Sequence, residues 1–90
     1  MSTRLSENEL FKTSELALAA TLLYFGFALD HLEPLEGQRL LLVFKRAERI
    51  DDIIQGFWAD TLSASPKRYF YVLKELKSRI FAERRRFVEE

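Results

Sequence analysis

The chain has no cysteine, a single histidine and a single tryptophan, and only three glycines and two prolines among its 90 residues. Without cysteine there are no disulfide staples, thiolate metal sites or cysteine nucleophiles, so core packing or self-association must supply the stability. A lone histidine rules out the paired-histidine zinc motifs. Gly26, Gly37 and Gly56 stand far apart and form no phosphate-binding loop. The longest nearly apolar run, residues 16–29, is interrupted by Thr21 and Gly26 and falls short of the roughly 20 residues that cross a bilayer. The opening residues MSTRLSENEL contain no basic segment followed by an apolar one, so a cytoplasmic protein with no membrane contact is expected.

What is present describes one small domain. Hydrophobic residues make up 48% of the chain and charged residues 31%, enough for one core and too little for two. The formal net charge is zero, but it averages two unlike parts. Residues 1–62 carry 6 basic and 10 acidic groups, net −4, and residues 63–90 carry 8 and 4, net +4. Such polarity suits either internal charge pairing or a basic surface that meets an acidic partner.

Residues 1–9 are expected to be a flexible N-terminal lead, 10–86 a single α+β domain and 87–90 a frayed tail. The segment LFK is either part of the lead-in or a short strand. Thr13 is placed as the N-cap of a first helix rich in alanine and leucine, which runs to about Phe25 and is closed by Gly26. FALDHLE and RLLLVFKR, joined by EPLEGQ, read as a hairpin. In its first strand Phe27 and Leu29 face one side and Ala28, Asp30 and Leu32 the other. Its second strand is apolar on both faces, as an internal or interface strand would be. Ile50, Ile53, Ile54, Phe57 and either Trp58 or Thr61 form the apolar stripe of a second helix. Ser65 and Pro66 open a third that ends near Arg85. The expected order is α-β-β-α-α, a β-hairpin packed against three helices. Leu23, Phe44, Ile54, Phe57, Leu73 and Leu76 are the expected core.

The first helix is apolar almost all round. Either it is the central helix of a tight monomer or a second copy covers its remaining face, and the balance favours a dimer.

Candidate chemistry is sparse. His31 lies beside Asp30 near a reversal, with no serine or cysteine placed to use it as a base. Glu48 and Asp52, four apart, have the spacing of a magnesium pair, but acids in a helix's first turns are accounted for by the dipole. A helix, a strand bearing an acid and a strand ending in lysine resemble the order in certain magnesium nucleases, in which Glu15, Asp30 and Lys45 would have to serve. Val43 stands where their second carboxylate belongs. The expectation is a protein that is not an enzyme and needs no cofactor or metal.

The informative stretch is SPKRYFYVLKELKSRIFAERRRF, Ser65 to Phe87, with 8 basic and 5 aromatic residues. At helical spacing, Tyr69, Leu73, Leu76, Ile80 and Phe87 form a face that packs on the domain. Beside it runs a second stripe, Lys67, Phe70, Lys74, Lys77, Phe81, Arg84 and Arg85, without an acidic member. Three uses fit this stripe. The phenylalanines complete the core beneath snorkelling cations, or the stripe binds an acidic protein partner that has an apolar groove, or it binds nucleic acid by phosphate neutralisation and stacking.

The segments FKTSELALAATLLYFGF, LLLVFKR and FWADTLSASPKRYFYVLKELKSRIF resemble a small family of uncharacterised prokaryotic and phage domains, over about Leu10 to Phe81. Lys45 and Arg46 depart from that pattern, which has an acidic residue after the strand. The resemblance implies an autonomous small domain and carries no activity. The expected function is therefore a non-enzymatic interaction or accessory module, self-associating, with the basic-aromatic stripe as its partner-binding face; the alternative is a nucleic-acid-binding accessory protein of phage or mobile-element type.

Overall fold

Residues 10–13, LFKT, alternate an inward Phe11 with an outward Lys12, the two-residue period of a half-buried strand. In the computed structural model, which describes residues 9–37 and 39–89 with side chains through Arg86, they form strand β1 (Leu10–Thr13). The other strands are β2 (Leu29–Pro34) and β3 (Leu40–Lys45), and the helices are α1 (Leu16–Tyr24), α2 (Ile50–Ala59) and α3 (Pro66–Glu89). The order β-α-β-β-α-α is an α+β domain, with the expected hairpin and three helices plus β1 as a third strand. Residues 1–8 of the expected lead and Glu90 of the expected tail lie outside the described residues. Among those described, no helix is long and apolar enough to cross a membrane.

Strand β3 is central, antiparallel to β1 on one side and to β2 on the other. Its apolar character on both faces is thereby explained. Leu40, Leu42 and Phe44 face the helices, and they join Leu18, Ala19, Ala20, Leu22, Leu32, Ile50 and Leu76 in the core. Val43 points the other way and is nevertheless completely buried. Of the expected core, Phe44 and Leu76 are buried, while Leu23, Ile54, Phe57 and Leu73 pack around its edge, half-buried.

Helix α1 packs against α3, α2 and β1. Residues 18 to 22 are all buried, and Ala19 and Ala20 let neighbours approach its backbone closely. The middle of its apolar circumference is thus covered within one chain, while Leu16, Leu23 and Tyr24 towards its ends stay half-buried.

Several local expectations are corrected. Thr13 is not the N-cap of α1: it ends β1, and its hydroxyl accepts the Glu15 N–H at 2.9 Å, leaving Glu15 at the cap. The strand hydrogen bonds to β3 outweigh a helical start at Thr13. The C-terminus of α1 is as expected, since Gly26 takes φ +97° and the Gly26 and Phe27 N–H groups donate to Leu23 O and Leu22 O, a Schellman closure. Leu32 is not on the opposite side from Leu29, because a β-bulge between Leu29 and His31 shifts the phase and turns both leucines inward. Glu48 lies before α2, in a turn closed by Ile50 N donating to Ala47 O, so it does not share a helix face with Asp52. Helix α3 continues through Glu89 and does not end near Arg85.

Candidate functional site

The start of α3 is tied to α1 by two tyrosines. The Ser65 N–H donates to the Tyr24 hydroxyl at 2.8 Å, and the Tyr69 hydroxyl donates to Ala17 O at 3.0 Å. The Arg68 guanidinium sits 5.7 Å from the Tyr24 ring centroid. These contacts set the rotation of α3. Tyr69, Leu73, Leu76 and Ile80 turn onto the core, as their spacing predicts, and Val72, not among the expected residues, joins them; the Phe87 side chain lies outside the described residues.

Fixing that face leaves the neighbouring stripe outside. Lys67, Phe70, Lys74, Lys77, Phe81, Arg84 and Arg85 are all exposed. Phe70 and Phe81 keep 66% and 64% of their surface accessible, so neither completes the core. At 24 residues α3 is about 36 Å long, close to the 40 Å extent of the whole domain. Its later turns therefore run past the middle of the core.

Along those turns α3 forms one wall of a groove of about 350 Å³. Lys77, Ile80, Phe81 and Arg84 make this wall; the other comes from Leu16 at the start of α1, from Leu40 and Leu42, and from Ser14 and Arg39. The floor is apolar and the rim cationic, with no acidic side chain among the lining residues. Arg39 reaches toward Ser14, its Nη2 donating to Oγ at 3.4 Å. Among the described residues neither Lys77 nor Arg84 has a carboxylate partner. Part of the stripe, Lys77, Phe81 and Arg84, thus belongs to a concave site. Phe70, Lys67, Lys74 and Arg85 lie outside its lining.

A second polar cluster covers the outer face of the sheet. The bulge in β2 puts Asp30 and His31 side by side. His31 Nδ1 is 2.7 Å from Asp30 Oδ2, and its Nε2 is 2.8 Å from Glu33 Oε2. Lys45 Nζ lies 3.7 Å from Asp30 and Lys12 Nζ 3.5 Å from Glu33. Hydrogen bonds to Glu33 and then Asp30 raise the His31 pKa, and the same bonds from His31 hold both carboxyls below their ordinary values. With a carboxylate at each nitrogen, these contacts favour the imidazolium, the form in which both ring nitrogens donate. This network roofs over Val43, whose strand partners are Lys12 and His31. Asp30 and Lys45 do come together, as the nuclease-like order requires. Glu15, however, stands at the α1 N-cap, and the place of the second carboxylate is the buried Val43.

Residues 8–82 match the family described as a domain of unknown function, DUF5659. The chain belongs to this family. No curated protein and no solved structure matches it. The DUF5659 match takes in all three strands, α1, α2 and α3 as far as Ala82. Lys77 and Phe81 of the groove fall within it; Arg84 falls beyond.

Sequence reasoning placed Lys77, Phe81 and Arg84 on an exposed stripe and Ile80 on the packing face, and it missed the groove that they line together with its opposite wall. Ser14, Leu16, Arg39, Leu40 and Leu42 have nothing local that marks them as facing Phe81. The outer-face network was also missed. Alternation puts His31 and Glu33 on one side of β2, but Asp30 joins them only through the bulge.

Proposed function

We propose that this DUF5659 domain is a non-catalytic interaction module, and that the groove between α3 and β3 binds an acidic protein segment carrying an apolar anchor. The exposure of Phe81 beside Lys77 and Arg84, over a floor of leucines, carries this reading. A large aromatic left in water next to unpaired cations marks a contact surface. The apolar floor of Leu16, Leu40, Leu42 and Ile80 favours protein over nucleic acid, because it matches an aliphatic or aromatic side chain better than the phosphate oxygens that take most nucleic-acid contacts.

Nucleic-acid binding is the second reading. It draws on the exposed Phe70 and Tyr71 near Lys67, Arg68 and Lys74. Phe70 and Phe81 are 11 positions apart, about 16 Å along the helix, which is too far for adjacent bases.

Fluorescence anisotropy with two probes separates the readings: an Asp/Glu-rich peptide bearing one leucine or tryptophan, and a single-stranded oligonucleotide. The peptide should bind, and both Phe81→Ala and the pair Lys77→Glu with Arg84→Glu should abolish binding. Peptide binding untouched by these changes, or a preference for the oligonucleotide with a steep salt slope, would overturn the proposal.

A further inference from the structure

Helix α2 presents the complement of the groove. Trp58, the only tryptophan of the chain, lies on its outer side with 64% of its surface exposed. The ring is steadied edge-on by Phe57, with centroids 4.9 Å apart. α2 contains no basic residue. Its first turn carries Asp51 and Asp52, and Glu48 and Asp60 flank it. Asp51 pairs with Arg46 at 2.6 Å and Asp52 with Arg49 at 3.9 Å. Both pairs are exposed and weak, and among the described residues Glu48 and Asp60 have no such partner. Residues 46–60 thus combine an exposed aromatic, steadied by Phe57, with four acids and two arginines. The groove offers an apolar floor within a rim of Arg39, Lys77 and Arg84.

We propose that the acidic, anchor-bearing partner of the groove is a second copy of this chain, which inserts Trp58 of its α2 between α3 and β3. The inference rests on the groove reading above and names the occupant. A chain cannot fill its own groove in this way. The groove is built at the start of α1, around Leu16, whereas α2 meets the other end of α1, where Gly56, Phe57 and Asp60 adjoin Thr21 and Phe25. Two different surfaces are therefore joined. The contact is heterologous, and it builds a closed ring or an open chain, not an isologous pair. At about 350 Å³ the groove lies within the roughly 300–1,000 Å³ of sites that enclose small organic groups, a size suited to an indole. The charge polarity of the sequence, net −4 over residues 1–62 and +4 over 63–90, then acts between molecules.

A head-to-tail contact makes a demand that no symmetric dimer makes. The Trp58→Ala chain keeps its groove and loses its anchor. A chain with Lys77→Glu and Arg84→Glu keeps its anchor and loses its rim, and Phe81→Ala serves as a second groove variant. All these residues are exposed, and unchanged circular dichroism checks the fold. Sedimentation should show the unaltered chain rising above 10.6 kDa with concentration, and each variant alone staying at that mass. Mixing the anchor variant with a groove variant should restore association and stop at twice the chain mass. Trp58 in the groove variant should shift its emission to the blue as the Trp58→Ala chain is added. An unaltered chain that stays at 10.6 kDa to millimolar concentration overturns the inference, as does a mixture that stays monomeric or a single variant that still associates. If the acidic peptide binds the groove while the chain stays monomeric, only the choice of partner fails; if neither binds, the groove reading fails too.

Discussion

Asp30 and His31 are neighbours in a β-strand, yet their side chains meet on the same side of the sheet, with Oδ2 and Nδ1 2.7 Å apart. Regular pleating would send them to opposite faces. The bulge between Leu29 and His31 brings them together and also lets His31 reach Glu33. One irregular residue thereby assembles a charged network above Val43.

The network predicts a pH window for stability. The His31 pKa is raised above 6.5 by Glu33 and Asp30, so its contribution is complete below 6.5 and is lost as pH rises through the higher folded value. Asp30 and Glu33 are lowered from 3.8 and 4.5 by their bonds to His31; their contribution is present above those values and is lost as pH falls through the lower folded ones. The three therefore act together between about pH 4.5 and 6.5. Titration of His31 by NMR should give a pKa above 6.5, and His31→Gln should flatten the fall in melting temperature on the alkaline side. A His31 pKa at or below 6.5 would show that the two carboxylates do not hold it.

Phe44 and Phe81 should respond oppositely to truncation. Phe44 is completely buried at the centre of the sheet, so Phe44→Ala should cost about 3–5 kcal/mol, enough to unfold much of a small domain. Phe81→Ala removes an exposed ring and should change stability by less than about 0.5 kcal/mol. Urea denaturation of the two variants side by side tests this, and a large loss at Phe81 would make it a core residue.

The bond between Tyr24 and Ser65 can be removed alone. Tyr24→Phe deletes the acceptor of the Ser65 N–H, bonded at 2.8 Å, and of the Arg68 contact at 3.4 Å. The ring remains to pack on Tyr69. A loss of about 1–2 kcal/mol is expected, with faster hydrogen exchange at Ser65. Unaltered exchange at that amide would mean that Tyr24 does not anchor the start of α3.

Gly26→Ala should destabilise without any clash. An added Cβ meets nothing within 4 Å, but the backbone stands at φ +97°. Strain of about 1–2 kcal/mol follows for an L side chain there. The loss should appear in the denaturation midpoint and leave the slope unchanged.

The sequence by itself determined what depends on neighbours along the chain. The i, i+3, i+4 spacing of Tyr69, Leu73, Leu76 and Ile80 selects the packing face of α3, and hence the stripe left in water. Gly26 closes α1 through bonds that span only five residues, and the two apolar faces of Leu40 to Phe44 mark a strand with neighbours on both sides. Tertiary structure alone decided the remainder, because those features are pairings between distant segments. LFKT is a strand only because β3, some thirty positions later, supplies its ladder, and that pairing took Thr13 from the helix cap. The bulge at Asp30 follows from fitting β2 to β3 while keeping both Leu29 and Leu32 on the core. Burial of the all-round apolar α1 needed three elements from both sides of it in sequence. The groove needed Leu16, Arg39 and Phe81 in one place, and no local period relates residues so far apart; only the packing of α3 across α1 brings them together.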